Sequence, residues 1–254
     1  MIHIIGAGPG DPELMTIKAK RLIDEADVIV YAGSLVNPDV LKDAKKSAVI
    51  HDSARMNLDE VIDVLSEAEK NGKKAVRVHT GDPAIYGAIR EQMDRLEKLG
   101  IEFEVVPGVS SFLATAAVLK KEYTLPDVTQ TVILTRMEGR TPMPPKEKLI
   151  DLARHNSTMV IFLSIGFIEE MCATLIEGGY TPDTPVAVVY KATWPDQRIL
   201  KGTLSDIASK VKDAKIEKTA LTVVGRFLGD EYSLSKLYDK NFTTGYRKGI
   251  DGSE

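Results

Sequence analysis

The sequence predicts an α/β protein built from two α/β domains, with a mostly parallel sheet in the N-terminal one and a mixed sheet in the C-terminal one. Two observations point to this. Short apolar runs alternate with amphipathic segments from the first residues onward, the order that places parallel strands between covering helices. In the second half, two strand-like runs near Val188 and Ile199 follow each other through a loop alone, as an antiparallel pair does.

Ile2 to Ile5 is an apolar run that stops at glycines, the pattern of a short buried strand. Thr16 to Ala26 reads as a helix with Thr16 as its N-cap, and Val28 to Tyr31 as the next strand. Asn57 opens an amphipathic helix with Leu58, Val61, Ile62 and Leu65 on one face, and Glu60 three residues on completes a capping-box pattern. Lys73 to Thr80 is a strand, Ala84 to Leu99 a helix, Glu102 to Val106 a strand and Ser110 to Leu119 an alanine-rich helix. The charged, proline-containing segment from Lys120 breaks this alternation, so the first domain is set at residues 1–120 and the second at 121–240. Strands are expected at Thr131–Thr135, Met159–Leu163, Pro185–Tyr190, Arg198–Leu200 and Leu221–Val224, with helices at Lys146–Arg154, Phe167–Glu177 and Leu204–Asp213. The polar stretch 241–254 is expected to be a mobile tail.

Composition narrows the function. Hydrophobic residues make up 43% and charged residues 28% of the 254, enough for a sizeable core. A net charge of −4 with interspersed signs argues against a nucleic-acid surface. Cys172, the one cysteine, sits in a helical pattern as a small buried hydrophobe, and with four histidines and no close-set pair a metal site is not expected. The chain enters structure at once, with no apolar leader and no run of membrane-spanning length, so a cytoplasmic protein that does not enter membranes is expected.

Three loops after predicted strands carry the chemistry, because ligands of open α/β sheets bind beyond the carboxyl ends of strands. The first, Gly6-Ala7-Gly8-Pro9-Gly10-Asp11-Pro12, departs from a dinucleotide fingerprint. Asp11 stands where the third glycine belongs, and Pro9 and Pro12 lack amide donors for a pyrophosphate. The second, Thr80-Gly81-Asp82-Pro83-Ala84-Ile85-Tyr86-Gly87, pairs a glycine with an Asp-Pro helix cap. The third is Pro107-Gly108-Val109-Ser110-Ser111. All three are poor in Lys and Arg, which suits a ligand with an adenosine and a positive centre but no phosphate. Composition by itself does not name that ligand.

At these loops the chain resembles the tetrapyrrole methylases, the precorrin methyltransferases. Gly-Ala-Gly-Pro-Gly-Asp-Pro at 6–12, Gly-Asp-Pro-Ala-Ile-Tyr-Gly at 81–87, Pro-Gly-Val-Ser-Ser at 107–111, Ile161-Phe162-Leu163-Ser164 and Gly202-Thr203-Leu204 carry the resemblance, in order, from Ile2 to about Gly229. Tyr31-Ala32-Gly33-Ser34-Leu35-Val36 and His51-Asp52-Ser53-Ala54 look like the branch acting at carbon 11 of precorrin-4. Uroporphyrinogen-III methyltransferases carry an Asp-Arg pair where this chain has Ala32-Gly33, which counts against that substrate.

The resemblance implies two domains with a cleft between them, a homodimer, and S-adenosyl-L-methionine as methyl donor with S-adenosyl-L-homocysteine as product. Carried over by position, the donor contacts are Pro9, Gly81, Asp82, Pro83, Tyr86, Ser110, Ser111, Leu163, Ala192, Thr219 and Ala220. The substrate is expected to be the tetrapyrrole precorrin-4 or cobalt-precorrin-4. Asp11 is the first candidate to accept a proton or steer a pyrrole N–H, although the same residue also suits a turn cap. Methylation at another ring carbon, and a non-catalytic tetrapyrrole carrier of the same fold, stay open as alternatives.

Overall fold

The computed structural model describes residues 1–250; residues 251–254, the end of the expected tail, lie outside the described residues. The chain forms two compact units, residues 1–118 with 190–198, and residues 119–189 with 199 onward.

The first unit holds a five-stranded sheet in the order β3-β2-β4-β1-β5, formed by β1 (Ile2–Gly6), β2 (Val28–Tyr31), β3 (Val49–Asp52), β4 (Ala75–His79) and β5 (Phe103–Val106). Every pairing in it is parallel. The alternation of side chains along each strand sends Ile5, Ile29, Val76 and Val78 to one face, where α1 (Ile17–Glu25) adds Ala19 and Ile23. Ile2, Ile4, Val28, Val30 and Ala75 go to the other, under α2 (Leu58–Lys70) and α3 (Arg90–Lys98). With both faces covered, the strands read as continuous apolar runs, the signature seen in the sequence. Helix α4 (Ser111–Leu119) follows β5 and ends where the second unit begins.

The helix starts at Thr16 and Asn57 are capped as expected. Thr16 accepts from the Ala19 amide at 3.2 Å. Asn57 and Glu60 form the reciprocal capping box, at 3.0 and 2.7 Å. Two features differ from expectation. The helix expected from Ala84 begins only at Arg90, because Tyr86 and Ala88 hold left-handed φ values of 56° and 50° and residues 83–86 form a turn. Strand β3 has no counterpart among the expected strands; its Val49 and Ile50 are exposed at the sheet edge and show no buried alternation.

The second unit holds a mixed sheet in the order β6-β7-β10-β8-β9, from β6 (Val132–Arg136), β7 (Thr158–Phe162), β8 (Pro185–Tyr190), β9 (Arg198–Thr203) and β10 (Ala220–Val224). β6 runs parallel to β7 and β10 antiparallel to it. Helices α5 (Leu149–Ala153), α6 (Ile168–Glu177) and α7 (Ile207–Asp213) complete it. Tyr123 meets the fully buried Phe227 edge-on, with ring centroids 5.1 Å apart. Beyond Gly229, the Arg247 guanidinium donates to the Leu237 and Asp239 carbonyls, closing the final described segment on itself. No helix among the described residues is long and apolar enough to cross a membrane.

Candidate active site

An all-parallel sheet has its carboxyl ends on one edge, so the loops after β1, β4 and β5 meet there. They meet through bare backbone. Gly8 and Gly81 exchange amide hydrogen bonds at 3.2 and 2.8 Å. A Cβ on Gly6 would lie 2.4 Å from the Gly81 carbonyl oxygen, and one on Gly108 would lie 2.1 Å from the same atom. Gly81 itself is left-handed at φ 59°. The glycines are therefore required by the approach of three backbones.

Asp82 ties two of these loops together. One carboxylate oxygen accepts from the Ala84 amide and the other from the Gly108 amide, both at 2.8 Å. The expected cap is thus present, but it opens a turn instead of a helix and staples the second loop to the third. With its carboxylate committed to backbone donors, Asp82 presents mainly its backbone to any ligand. Pro83 and Ser110 are buried beside it, Ser111 is half-buried, and Tyr86 is 45% exposed.

Residues 190–198 add a clamp on the first loop. The Trp194 indole N–H donates to the Pro9 carbonyl at 3.0 Å, and the Asp11 amide donates to Thr193 Oγ1 at 3.0 Å. The indole covers Gly10 so closely that a Cβ there would fall 2.0 Å from Trp194 Cδ1. Lys191 is held by Asp196 at 2.7 Å and lies over the Trp194 ring. Ala192 is buried within this clamp. Asp11 uses one carboxylate oxygen to accept from the Glu13 amide at 2.9 Å, so it does cap the turn that follows.

The other expected contacts belong to the second unit. Leu163 follows β7 and Ala220 opens β10, and these two strands pair antiparallel with Thr222 opposite Ile161 and Val223 opposite Val160. Thr219 precedes Ala220, and Leu163 is 65% exposed despite being apolar.

Backbone strain falls on these residues. Tyr86, Leu163 and Thr219 have φ of 56°, 54° and 56°, and Lys191 and Thr193, flanking Ala192, have 47° and 69°. Left-handed φ at a β-branched threonine is a true outlier, and such residues persist where the surroundings impose them, most often at functional sites. No spacing rule in the sequence reveals this.

Beneath the edge, β4 carries a buried polar pair. Arg77 donates to Gln92 Oε1 at 3.1 Å and to the Val30 carbonyl at 3.2 Å, and burial lowers its pKa to about 10. His79 is 5% exposed, and its Nε2 has no hydrogen-bond partner among the described residues. Burial first and the adjacent Arg77 charge second lower its pKa to about 3, so the ring is neutral. Cys172 is buried and its thiol pKa is pushed up to about 11 by desolvation, as suits an inert core residue. The Arg136 guanidinium is spent on the Met137, Thr141 and Pro142 carbonyls, whereas Arg55 is exposed and makes no ion pair among the described residues.

The fold and these loops define a methylase scaffold, and comparison with known proteins gives the family. Residues 1–208 match the model of the Tetrapyrrole (Corrin/Porphyrin) Methylases, and the chain belongs to that family. It is 62% identical over 248 residues, 97% of this chain and 96% of the relative, to the cobalt-precorrin-4 C(11)-methyltransferase of Methanocaldococcus jannaschii. The X-ray structure of a cobalt precorrin-4 methyltransferase superposes with a TM-score of 0.88 at 48% identity, covering 90% of this chain and 96% of the other. A Thermus thermophilus uroporphyrin-III C-methyl transferase complexed with S-adenyl homocysteine matches with a TM-score of 0.72 at 28% identity, over 89% of this chain and 92% of that one.

Proposed function

We propose that this protein transfers the methyl group of S-adenosyl-L-methionine to carbon 11 of precorrin-4 or its cobalt complex, releasing S-adenosyl-L-homocysteine. The observation that carries the substrate assignment is the 62% identity, over nearly the full length of both chains, to a relative named for that reaction. The loop geometry fits the donor. The glycines at 6, 8, 81 and 108 let the three loops pack into one site of bare backbone, and no Lys or Arg in those loops repels a sulfonium.

In this reading the donor supplies an already activated methyl, so the protein's task is alignment and exclusion of water. Gly81, Pro83 and Tyr86 present the second loop, Ser110 and Ser111 offer hydroxyls, and Pro9 and Ala192 complete the first unit's share. Leu163, Thr219 and Ala220 are the remaining proposed donor contacts. Asp82 acts on the donor through its hold on the Gly108 amide. Asp11 keeps one carboxylate oxygen on Glu13 and presents the other to a pyrrole N–H or to the proton lost after methylation. The protein works as a cytoplasmic homodimer.

The test is an anaerobic single-turnover incubation with labelled S-adenosyl-L-methionine and precorrin-4, with and without cobalt, read by mass spectrometry and NMR of the pigment. One methyl gained at carbon 11 is expected. A methyl on another carbon, or tight pigment binding with no transfer, overturns the reading in favour of a different methylase or a carrier. Asp11→Ala should bind S-adenosyl-L-homocysteine within about twofold of wild type yet turn over about a hundredfold more slowly, the low end of what a lost general base costs; wild-type turnover removes Asp11 from the mechanism.

A further inference from the structure

The carboxyl edge of the first sheet has a second half, above β2 and β3, that the donor loops do not use. Its central feature is Asp52, the last residue of β3, which pairs in register with Tyr31 at the end of β2. Its Oδ1 accepts from the Gly33 amide at 3.1 Å and from the Ala54 amide at 2.9 Å. Ser53 Oγ donates to the Tyr31 carbonyl at 3.0 Å, fixing the strand ends to each other. The carboxylate fills the room where a side chain at position 33 would go: a Cβ on Gly33 would lie 2.2–2.4 Å from all three carboxylate atoms. Gly33 has an ordinary φ, so it is a glycine for the sake of Asp52 and not of the turn.

The result is an exposed carboxylate whose aim is set by two backbone amides on one oxygen and whose second oxygen takes no hydrogen bond among the described residues. Leu35, 39% exposed, stands on the turn closed by its amide on the Ala32 carbonyl, and Arg55 follows on the turn that Asp52 caps. Asn37, buried, donates to the Gly10 carbonyl at 2.8 Å and so joins this half of the edge to the first donor loop. An apolar surface, one oriented hydrogen-bond acceptor and one cation without an ion pair match a flat macrocycle with inward N–H donors and peripheral carboxylates.

We infer that Asp52, held in place by the room left at Gly33, is the substrate-orienting carboxylate, accepting N–H donors of the reduced tetrapyrrole through its outer oxygen. This rests on the tetrapyrrole reading proposed above and adds to it the residue that sets the ring's orientation. It is a contact distinct from Asp11, which lies on the loop after β1.

Asp52→Asn provides the test, because its amide oxygen can keep both backbone bonds while its outer atom becomes a donor facing donors. Pigment affinity is measured by absorbance titration under argon with metal-free precorrin-4 in the presence of S-adenosyl-L-homocysteine. Carbon-11 transfer by the wild type is scored in the same preparation; if the wild type instead binds another reduced tetrapyrrole, the C11 reading fails and the variant is titrated with that pigment. Asp52→Asn should weaken pigment binding by about tenfold or more, the scale of a lost charge-assisted hydrogen bond. Its affinity for S-adenosyl-L-homocysteine and its melting temperature should be unchanged. Gly33→Ala, whose methyl displaces only the movable end of Asp52, should give the same pattern. Pigment affinity equal to wild type in Asp52→Asn, or equal losses for pigment and donor product, overturns the inference while leaving the methyl-transfer reading intact.

Discussion

Gly108 illustrates how much of the donor cradle depends on single absent side chains. A Cβ at this position would sit 2.1 Å from the Gly81 carbonyl oxygen and 2.8 Å from Gly6 Cα, and both are backbone atoms of neighbouring loops that cannot turn aside as a side chain would. Gly108→Ala should therefore cost about 1–3 kcal/mol, the usual scale of overpacking, seen as a lower urea midpoint with an unchanged m-value. It should also abolish detectable binding of S-adenosyl-L-homocysteine in titration calorimetry. His79 sets a second expectation. Its folded pKa of about 3 lies below the ordinary 6.5, so between those values the unfolded chain takes up a proton that the folded chain refuses. Stability on this account is flat above pH 6.5 and falls as pH drops below it, by about 2 kcal/mol at pH 5. His79→Leu should remove that share of the acid sensitivity, and equal slopes for variant and wild type in urea titrations at pH 7 and 5 would refute the assignment. Nothing in the sequence around this histidine marks it, and the contacts of the neighbouring Arg77 come from Gln92 and Val30, outside its own strand.

At the scale of elements, what is legible in the sequence follows how local each cause is. Thr16 and Asn57 cap their helices from within three residues, so the starts of α1 and α2 can be read almost to the residue. The start of α3 cannot, because the left-handed Tyr86 and Ala88 are imposed by a loop packed against two others. The edge strand β3 escapes because exposure removes the alternation that marks a strand. The glycine loops are recognisable as ligand loops, but their interlock depends on parallel pairing of strands far apart in sequence. Longest in range is the grip of residues 190–198 on the first loop, across 185 residues from Trp194 to Pro9. No local pattern in the sequence marks this contact, in which Trp194 is seated on Gly10. Trp194→Ala should free the first loop and raise the amide hydrogen exchange of Gly10 and Asp11 by at least about tenfold while α1 keeps its protection. Unchanged protection across the first loop would mean that Thr193 alone holds it.

At the scale of the whole molecule, the residues expected to contact the donor fall in two units with separate sheets. Gly81, Pro83, Tyr86, Ser110 and Ala192 lie in the first, and Leu163, Thr219 and Ala220 in the second. A ligand that binds only the folded form stabilises whatever must be folded to bind it. At a hundred times its dissociation constant, S-adenosyl-L-homocysteine contributes about 2.7 kcal/mol. For a chain of this size that corresponds to a rise in Tm of about 5–10 °C. If both units hold the ligand, calorimetry should show all of the unfolding heat moving upward together. If only the first unit holds it, part of the heat will stay at the ligand-free temperature. Trp194 separates the cases optically, because it is the chain's one tryptophan and lies in the first unit. Its emission should follow the same upward-shifted transition as the far-ultraviolet circular dichroism of the whole chain. An emission transition that moves while part of the dichroism does not would remove Leu163, Thr219 and Ala220 from the donor site and leave the glycine cradle of the first unit to bind the nucleoside by itself.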